Sequence, residues 1–322
     1  MRAIRQHEFG PAENLRYEEV PDPEPQAGQV RVAVSAAGVH LLDTSIRKGE
    51  TGGPFPAPEL PMTPGREVAG VVVGLGAGVD ASWLGKRVVA HLGMAHGGYA
   101  ELAVANVAAL HEVPDHVSDD AAVAMIGTGR TAYGVLRVAE LTKDDVVLVP
   151  AAAGGLGALF VQEAKAVGAK VVGAASTGKL DVVRDLKADL VVDYTLDDWS
   201  DEVRAEFGEV TVVLDGVGGQ RGRQALELLG IGGRIILFGW SSGEPTRIET
   251  ADLYSRGLTA SVAVGPRILK KMNLRDLETL ALAALAEGRL TPLTTTFALS
   301  AAADAHTALE NRTTSGKVVL KP

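Results

Sequence analysis

The stretch that most constrains the fold is Asp144–Gly168, DDVVLVPAAAGGLGALFVQEAKAVG, because a strand, a glycine-rich turn and a helix follow one another in it. Val146–Val149 is an unbroken aliphatic run, too short for a helix, which indicates a strand buried on both faces. From Leu159 apolar residues recur at helical spacing until Gly168, which is free to adopt the positive φ of a helix end. A second strand opens at Lys170. This βαβ order predicts a helix N-terminus placed to bind a pyrophosphate.

The turn matches the G-x-G-x-x-G pattern imperfectly, because Ala152 occupies the first glycine position. Gly154 and Gly157 hold the second and third positions. We expect the backbone of Gly154, Gly155 and Leu156 to approach phosphate oxygens, and Gly157 to let the helix pack closely on the strand. The alternative for the motif alone is a tight turn that binds no ligand, and the flanking strands and helix favour the nucleotide site.

Composition excludes several classes of protein. The chain has 322 residues, a net charge of −9 and no basic run, which argues against nucleic acid or an acidic membrane surface as a partner. It has no cysteine, so disulfides, thiolate chemistry and Cys-ligated zinc are excluded. The N-terminus MRAIRQHEFG lacks an apolar signal-peptide core, and the longest apolar run is broken by Pro150 and glycines. We expect a soluble, cytoplasmic protein with no membrane partner.

The first third of the chain is dense in short strands separated by Gly and Pro, which suggests a compact β-barrel. The strand candidates there are Arg2–Gln6, Leu15–Val20, Gln29–Ala37, Glu67–Leu75, Arg87–His91, Gly98–Ala105 and Ala108–His111.

Beyond about Asp119 the strands alternate with helical segments, as expected for a doubly wound sheet of six strands. They are Val146–Val149, Val171–Ala175, Leu190–Asp193, Val210–Leu214, Gly233–Phe238 and Leu258–Val264. An amphipathic helix, Leu274–Glu287, and a strand, Lys317–Leu320, are expected to return the chain to the first domain. We therefore predict an α/β fold with one domain over 1–122 and 265–322 and a second over 123–264.

Seven motifs run from end to end of the chain. They are AAGVHLLDTSIRKG (36–49), TPGREVAGVV (63–72), GGYAEL (97–102), AAAGGLG (151–157), LDGVGG (214–219), GRIILFG (233–239) and SGKVVL (315–320). Together with the order of the domains, they resemble the medium-chain dehydrogenase/reductase superfamily, and within it the zinc-free quinone oxidoreductase branch. The resemblance implies a GroES-like β-barrel catalytic domain and an NADP-binding Rossmann domain.

The positions that carry zinc ligands in the alcohol dehydrogenases of this superfamily hold other residues here. Ala37 stands at the Cys position after the first core strand, and Arg66 stands at the His position in PGREVAG. The loop with four structural cysteines is also missing. His91 and His96 are the remaining candidates, but two lone histidines in a glycine-rich stretch are better explained as solvated surface, so we expect no metal. Without a Lewis acid, reduction of an already electrophilic substrate is favoured over alcohol oxidation.

The end of the second Rossmann strand predicts the cofactor. NAD enzymes usually carry an acid there for the ribose 2′-OH, but this segment reads Ala174, Ala175, Ser176, Thr177, Gly178, Lys179. Two hydroxyls and a cation suit a 2′-phosphate, so we expect NADPH rather than NADH, an exposed turn being the alternative. By resemblance, Tyr194 lies on the adenine side.

Other cofactor contacts are implied by the resemblance alone. Thr128 and Thr131 lie in IGTGRTAYG, the segment that approaches the nicotinamide, while Gly216 and Val217 follow the fourth strand of the sheet. Two further residues, Phe238 and Gly239, follow the fifth strand. Lys317 is a candidate cofactor contact, with an exposed surface lysine as the alternative.

The substrate side departs from the branch. His40 replaces a common Asn, Asp43 and Thr44 are retained, and Ser45 replaces a common Tyr. His40 is a candidate proton donor, with packing and a backbone hydrogen bond as the alternative. Asp43 is expected to cap the helical turn Thr44–Lys48.

These observations predict a zinc-independent reductase that transfers a hydride from NADPH to a quinone or an α,β-unsaturated carbonyl compound. The proton is expected from His40, from the Thr128 or Thr131 hydroxyl, or from water. The alternatives are an enoyl-thioester reductase and an NADPH-binding sensor, structural or RNA-binding protein with little turnover. A homodimer is expected, because the strand Leu258–Val264 would otherwise leave an open sheet edge.

Overall fold

The computed structural model describes residues 1–50, 58–265 and 271–322. The chain divides into two compact units: unit 1 comprises residues 1–128 and 278–322, and unit 2 comprises residues 129–277. The predicted domain boundaries, after residues 122 and 264, lie N-terminal to both divisions.

The strands are β1 (Arg2–Gln6), β2 (Leu15–Glu19), β3 (Gln29–Val39), β4 (Glu67–Leu75), β5 (Arg87–His91), β6 (Leu102–Asn106), β7 (Leu110–Glu112), β8 (Val146–Pro150), β9 (Lys170–Ala175), β10 (Leu190–Asp193), β11 (Val210–Asp215), β12 (Leu229–Leu237), β13 (Thr259–Val262), β14 (Thr294–Ala298) and β15 (Lys317–Lys321).

The α-helices within the described residues are α1 (Leu41–Lys48), α2 (Asp119–Ala124), α3 (Arg130–Ala139), α4 (Gly155–Ala166), α5 (Leu180–Asp185), α6 (Trp199–Phe207), α7 (Gly219–Glu227), α8 (Thr250–Arg256), α9 (Leu274–Ala286) and α10 (Ala302–Glu310). None of the helices in this described part of the chain is both long and apolar enough to span a bilayer.

Unit 1 is organised around β3. Its seven-stranded sheet has the order β14-β15-β3-β4-β5-β7, and β6 also pairs with β3. The antiparallel register of β15 and β3 places Val318 opposite Val39, and that of β3 and β4 places Ala37 opposite Val68. Apolar side chains of β3 therefore enter more than one cluster: Val34 packs towards α10, and Ala36 packs towards α2. The return segment, as predicted, supplies strands to the N-terminal sheet.

One predicted strand of unit 1 starts in the wrong place. The segment predicted as a strand from Gly98 is irregular up to Glu101, apart from an isolated bridge between Ala100 and Ala3, and β6 begins at Leu102. Tyr99 is fully buried there, and its N–H donates to the Pro64 carbonyl (2.9 Å) instead of to a neighbouring strand.

Unit 2 contains the predicted doubly wound sheet. Its six strands are parallel and run in the order β10-β9-β8-β11-β12-β13, which is 3-2-1-4-5-6 in sequence order. Val147, Leu148 and Val149 of β8 are fully buried, which confirms a strand covered on both faces. Ligands of such sheets bind outside the carboxyl ends of the strands, at the point where the strand order reverses beside the first strand. In unit 2 that point lies at the ends of β8 and β11.

Candidate active site

The turn after β8 has the geometry expected of a phosphate-binding turn. Gly154 is the N-cap of α4, and Ala151 adopts a left-handed φ of 56°. A Cβ on Gly157 would lie 2.3 Å from the Ala151 carbonyl oxygen, so this position admits only glycine without a shift of the backbone. The first N–H groups of α4, those of Gly155, Leu156 and Gly157, have no intrahelical acceptor. N–H groups at the start of a helix are the groups that bind anions in such turns, and these lie at the carboxyl end of β8.

The segment after β9 is engaged differently from its prediction. The Thr177 hydroxyl donates to Asp193 Oδ2 (2.5 Å), whose other oxygen accepts from the backbone (2.9 Å) and hydroxyl (2.6 Å) of Thr195. Asp193 is buried, and these hydrogen bonds outweigh the effect of burial and lower the pKa of its carboxyl. The Thr177 hydroxyl therefore already donates its proton to Asp193. The loop after β9 contains no acidic residue, but Asp193, at the end of the neighbouring strand β10, lies against it.

Besides Lys179 in the loop after β9, a second cationic side chain, that of Arg221, lies at this edge of the sheet. The Arg221 guanidinium, from α7, lies 5.0 Å from the centre of the Tyr194 ring, and its Nε donates to the Tyr194 carbonyl (3.1 Å). Tyr194 directly follows β10, and its N–H donates to Ala175 at the end of β9 (3.1 Å). Sequence analysis missed Arg221, because it is distant in sequence from the β9 loop and lies in a helix rather than at a strand end.

The predicted residues after β11 and β12 come together at adjacent strand ends. Asp215 Oδ1 accepts from the N–H groups of Val217 (2.8 Å) and Gly218 (3.0 Å), which fixes the loop after β11. A Cβ on Gly216 would meet the Phe238 ring at 2.2 Å, and Gly239 lies beside the Gly216 backbone.

Phe238 packs edge-to-face on Phe160 of α4, with 5.2 Å between the ring centres. Phe238 therefore contributes to the packing of unit 2.

Thr128 and Thr131 are assigned to different units. Thr128 is nearly buried and lies in a π-helical turn, Met125–Gly129, in unit 1, whereas Thr131 lies in α3 of unit 2.

In unit 1, His40 belongs to a cluster of three ionisable side chains, which we call the His40 cluster: His40, Glu67 and Lys317. His40 Nε2 lies 2.6 Å from Glu67 Oε1, Lys317 Nζ lies 2.7 Å from Glu67 Oε2, and Nζ lies 2.9 Å from His40 Nε2. The three residues come from the end of β3 and the starts of β4 and β15. The interpretation of Lys317 as an exposed surface lysine is wrong, since its side chain is only 5% exposed. The His40 side chain also takes part in the capping box at the start of α1, where it accepts from the backbone of the third helical residue.

Two glycines make room for the Glu67 carboxylate. A Cβ on Gly127 would lie 1.5 Å from Glu67 Oε1, and one on Gly38 would lie 2.3 Å from Oε2. Burial of Glu67 opposes its ionisation, but His40 and Lys317 outweigh burial and hold the pKa of Glu67 well below its usual value. Burial lowers the pKa of Lys317, and Glu67 opposes that shift. Sequence analysis missed Glu67, although an acid at the start of an otherwise apolar strand is a detectable signal.

Asp43 fixes the N-terminus of α1. Its Oδ2 accepts from the backbone N–H of His40 (2.8 Å) and from the Tyr99 hydroxyl (3.1 Å), and Arg66 Nε lies 3.5 Å from Oδ1. Burial opposes ionisation of Asp43, but His40 and Arg66 outweigh it and lower the pKa of the carboxyl. The predicted capping role is therefore found, at the third residue of a helix that begins at Leu41 rather than at Thr44.

His306 continues this network. Its Nε2 lies 3.2 Å from the Tyr99 hydroxyl, which itself donates to Asp43, so Nε2 carries a proton and donates. His306 is fully buried, and burial lowers its pKa to about 4. The ring is accordingly neutral at pH 7.

The residues of unit 1 do not fit a zinc ion. The Ala37 methyl group is buried in an apolar cluster, and Arg66 places a cation beside Asp43 where a neutral ligand is needed. His91 Nδ1 accepts from the Gly93 N–H (3.0 Å), and His96 has a left-handed φ of 58°. Within the described ranges, no group of three or more His, Asp or Glu side chains could hold a metal ion.

Two family models match the chain. An alcohol dehydrogenase GroES-like domain matches residues 26–115, and a zinc-binding dehydrogenase domain matches residues 155–281. Among curated relatives, a quinone oxidoreductase from Salmonella typhimurium is 32% identical over 99% of each chain. An acryloyl-coenzyme A reductase from Sulfurisphaera tokodaii is 29% identical over 97% of this chain and 98% of its own.

Solved structures share the whole fold. Quinone oxidoreductase from Escherichia coli complexed with NADPH is 30% identical and superposes with a TM-score of 0.86 over 100% of both chains. A protein described as an NAD-dependent alcohol dehydrogenase is 32% identical, with a TM-score of 0.90 over 100% of both chains. The predicted GroES-like and Rossmann-type parts are thereby confirmed.

Proposed function

Because the chain belongs to the medium-chain dehydrogenase/reductase superfamily, in its quinone oxidoreductase branch, we propose that this oxidoreductase uses NADPH to reduce a quinone or an α,β-unsaturated carbonyl compound. The observation that carries the proposal is the chemistry at the two zinc-ligand positions, the Ala37 methyl group and the Arg66 cation paired with Asp43. These side chains supply no Lewis acid to lower the pKa of an alcohol. Quinones and enones accept a hydride without one, because their acceptor carbons are already electrophilic.

The residues of unit 2 fit a dinucleotide. NADPH, when bound, supplies the hydride. The exposed N–H groups at the start of α4 would hold the pyrophosphate, and the glycines after β11 let the backbone approach the ligand. The adenosine end would lie against Tyr194, next to the end of β9. The relatives divide on the cofactor, since one structure is an NADPH complex and another is named for NAD.

The preference for NADPH rests on cations. Lys179 lies in the turn that follows β9, and Arg221 of α7 contacts the ring and the carbonyl of Tyr194, which follows β10. Asp193 is an ionised acid at the same edge; it accepts three hydrogen bonds from Thr177 and Thr195, and its charge acts on Arg221. We propose that Lys179 and Arg221 together attract a 2′-phosphate despite this acid.

We expect R221M to raise KM for NADPH about 10- to 100-fold, the loss of a charge-assisted contact of about 1.5–3 kcal/mol. KM for NADH should change little. The matched control is R184M, since Arg184 is an exposed arginine of unit 2 that pairs with Asp181. Equal effects of R221M on both cofactors would show that Arg221 only supports the fold.

The substrate class is tested by steady-state oxidation of NADPH with a benzoquinone, a naphthoquinone, a simple enone, an enoyl-CoA and an aldehyde. Quinone or enone turnover is the expected result. The acryloyl-coenzyme A reductase relative supports a second candidate, an enoyl-thioester reductase, which requires the enoyl-CoA to have the highest kcat/KM. NADPH binding without turnover of any acceptor would contradict the proposed enzyme activity and favour an NADPH-binding sensor or structural protein.

We further propose that the protein is a homodimer. β13 ends the strand order of unit 2 and pairs only with β12 among the described strands. Val262 on this strand is 56% exposed, and Tyr254 of α8, which precedes it, is 88% exposed. An open edge strand with an exposed apolar side chain is stabilised by pairing with a second copy.

A further inference from the structure

We propose that the Thr246 hydroxyl, by donating to the buried carboxylate of Asp215, joins the segment after β12 to the glycine loop after β11 and holds both in the shape that binds the cofactor. This inference rests on the proposed function and names two residues of unit 2 that prepare the site for NADPH. Thr246 and Asp215 act through the backbone of the two loops and are positioning residues.

Asp215 is a buried acid that is hydrogen-bonded to both loops. It is completely buried, and its Oδ1 accepts from the N–H groups of Val217 and Gly218, at 2.8 and 3.0 Å. Its Oδ2 accepts from the Thr246 hydroxyl. A buried carboxylate is costly unless its oxygens are hydrogen-bonded, so the position of Thr246 is tied to that of the glycine loop.

Gly222 leaves the space for this contact. A Cβ on Gly222, near the start of α7, would lie 2.0 Å from Thr246 Oγ1 and 2.7 Å from Asp215 Oδ2. The hydroxyl and the carboxylate therefore lie directly against the backbone of α7.

The two loops are also joined by backbone hydrogen bonds. These run from Ser241 N–H to the Gly216 carbonyl (3.0 Å), from Ser242 N–H to the Val217 carbonyl (2.8 Å) and from Gly219 N–H to the Glu244 carbonyl (2.8 Å). Residues 216–219 and 241–246 therefore form one structural element rather than two independent loops.

Little apolar burial holds the segment after β12 in place. Residues 240–245 are all exposed, and even Trp240 is 60% exposed. Segments with exposed backbone hydrogen bonds and few buried contacts open readily. The bond from Thr246 to a completely buried acid is therefore the interaction that we expect to keep this segment closed on the glycine loop.

The place of this element in the sheet connects it with the cofactor. It follows β11 and β12, which belong to the second half of the doubly wound sheet, and a dinucleotide binds outside the carboxyl ends of both halves. With the adenosine end at β9 and β10, the nicotinamide end would lie at β11 and β12. A loop already held in its binding shape loses less conformational entropy when the ligand binds.

Valine at position 246 tests the hydroxyl, because it keeps the branched shape of threonine and cannot donate a hydrogen bond. Hydrogen–deuterium exchange of the full-length protein without cofactor should be faster in T246V at the amides of Gly219, Ser241 and Ser242. T246S keeps the hydroxyl and should exchange like wild type. This readout needs neither NADPH nor an acceptor, so it stands or falls separately from the proposed function.

The Kd for NADPH, measured by calorimetry, tests the link to the cofactor. We expect T246V to raise this Kd about 10-fold, the factor that corresponds to one hydrogen bond, and T246S to stay within about twofold of wild type.

The matched control is T211V. Thr211, at the start of β11, also donates its hydroxyl to an aspartate of unit 2, Asp145, at 2.7 Å. T211V removes the same kind of contact from the opposite end of the strand. It should therefore lower the stability but change neither the Kd for NADPH nor the exchange of the three amides.

Exchange in T246V that matches wild type would overturn the proposal, as would faster exchange with an unchanged Kd. Equal rises of Kd in T246V and T211V would overturn it too, because the effect would then be general to the fold. A wild-type protein that does not bind NADPH would contradict the proposed function itself, and with it the inference that rests on it. If T246V does not fold, T246A, which also lacks the hydroxyl, replaces it with the same expected results.

Discussion

At the scale of single residues, glycine is required at position 127 by a carboxylate and not by a turn. An alanine Cβ there would lie 1.5 Å from Glu67 Oε1, and this side chain is held by His40 and Lys317. We expect G127A to lower the free energy of unfolding by about 1–3 kcal/mol, as for other overpacked sites, and to reduce kcat by displacing Glu67.

Urea denaturation followed by circular dichroism measures this loss. G178A is the control, because no atom lies within 4 Å of a Cβ at Gly178. Equal stabilities of the two variants would mean that Glu67 moves freely, against the buried arrangement described.

The sequence could identify His40 as a functional candidate but not its partners. His40 stands in a motif, whereas its contacts with Glu67 and Lys317 depend on how β4 and β15 align with β3. Val318 opposite Val39 brings the preceding lysine next to His40, and a register is a tertiary property that composition and periodicity do not encode. The sequence therefore predicts Lys317 only as a cofactor contact or a surface lysine, and not as a partner of Glu67.

At the scale of elements, α1 is tied to α10 through side chains rather than backbone. Arg47 of α1 makes a two-pronged ion pair with Glu310 of α10, at 2.8 and 3.3 Å, and is almost fully buried. The chain His306–Tyr99–Asp43 forms a second connection between these helices. The site segment that contains His40 thus depends on α10.

The stability of the protein should fall in mild acid because of His306. Its folded-state pKa of about 4 is below the value near 6.5 of an unfolded histidine, so the unfolded chain binds the proton first as the pH falls. The stabilisation is complete above pH 6.5 and is lost between pH 6.5 and 4, by about 3 kcal/mol.

Measuring the free energy of unfolding of wild type and H306Q at pH 7.5 and 4.5 tests this expectation. H306Q should be less stable at pH 7.5 but should lose less between the two pH values, since it has no proton to take up at this position. The same loss in both proteins would place the acid sensitivity elsewhere.

Elements with strong local signals were predicted well, and those defined by tertiary pairing were not. The β8–α4–β9 unit follows from an aliphatic run, a glycine turn and a helical period, all local in sequence. The prediction of a strand before β6 was wrong because Tyr99 is buried by packing, and it hydrogen-bonds to Asp43 and Pro64. The alternation of apolar residues in the sequence does not distinguish such a segment from a strand.

At the scale of the whole molecule, the proposed dimer can be tested through its edge strand. V262K places a charge on the exposed face of β13, where natural sheets use lysine to prevent edge pairing. Light scattering after size exclusion should give twice the chain mass for wild type and the chain mass for V262K.

L84K is the matched control, because Leu84 is exposed to the same degree (57%) but lies in unit 1. It should stay dimeric. A monomeric wild type would contradict the proposal directly.

The split of unit 1 around unit 2 has a consequence for biosynthesis. Unit 2 is one continuous stretch, residues 129–277, so its sheet can close while the ribosome is still translating the remainder. β3 is synthesised early, but its pairing with β15 requires the last residues of unit 1. Lys317 cannot contact Glu67 until β15 has been synthesised. We therefore expect a nascent chain to form the glycine-rich turn after β8 before its His40 cluster, although His40 is made first.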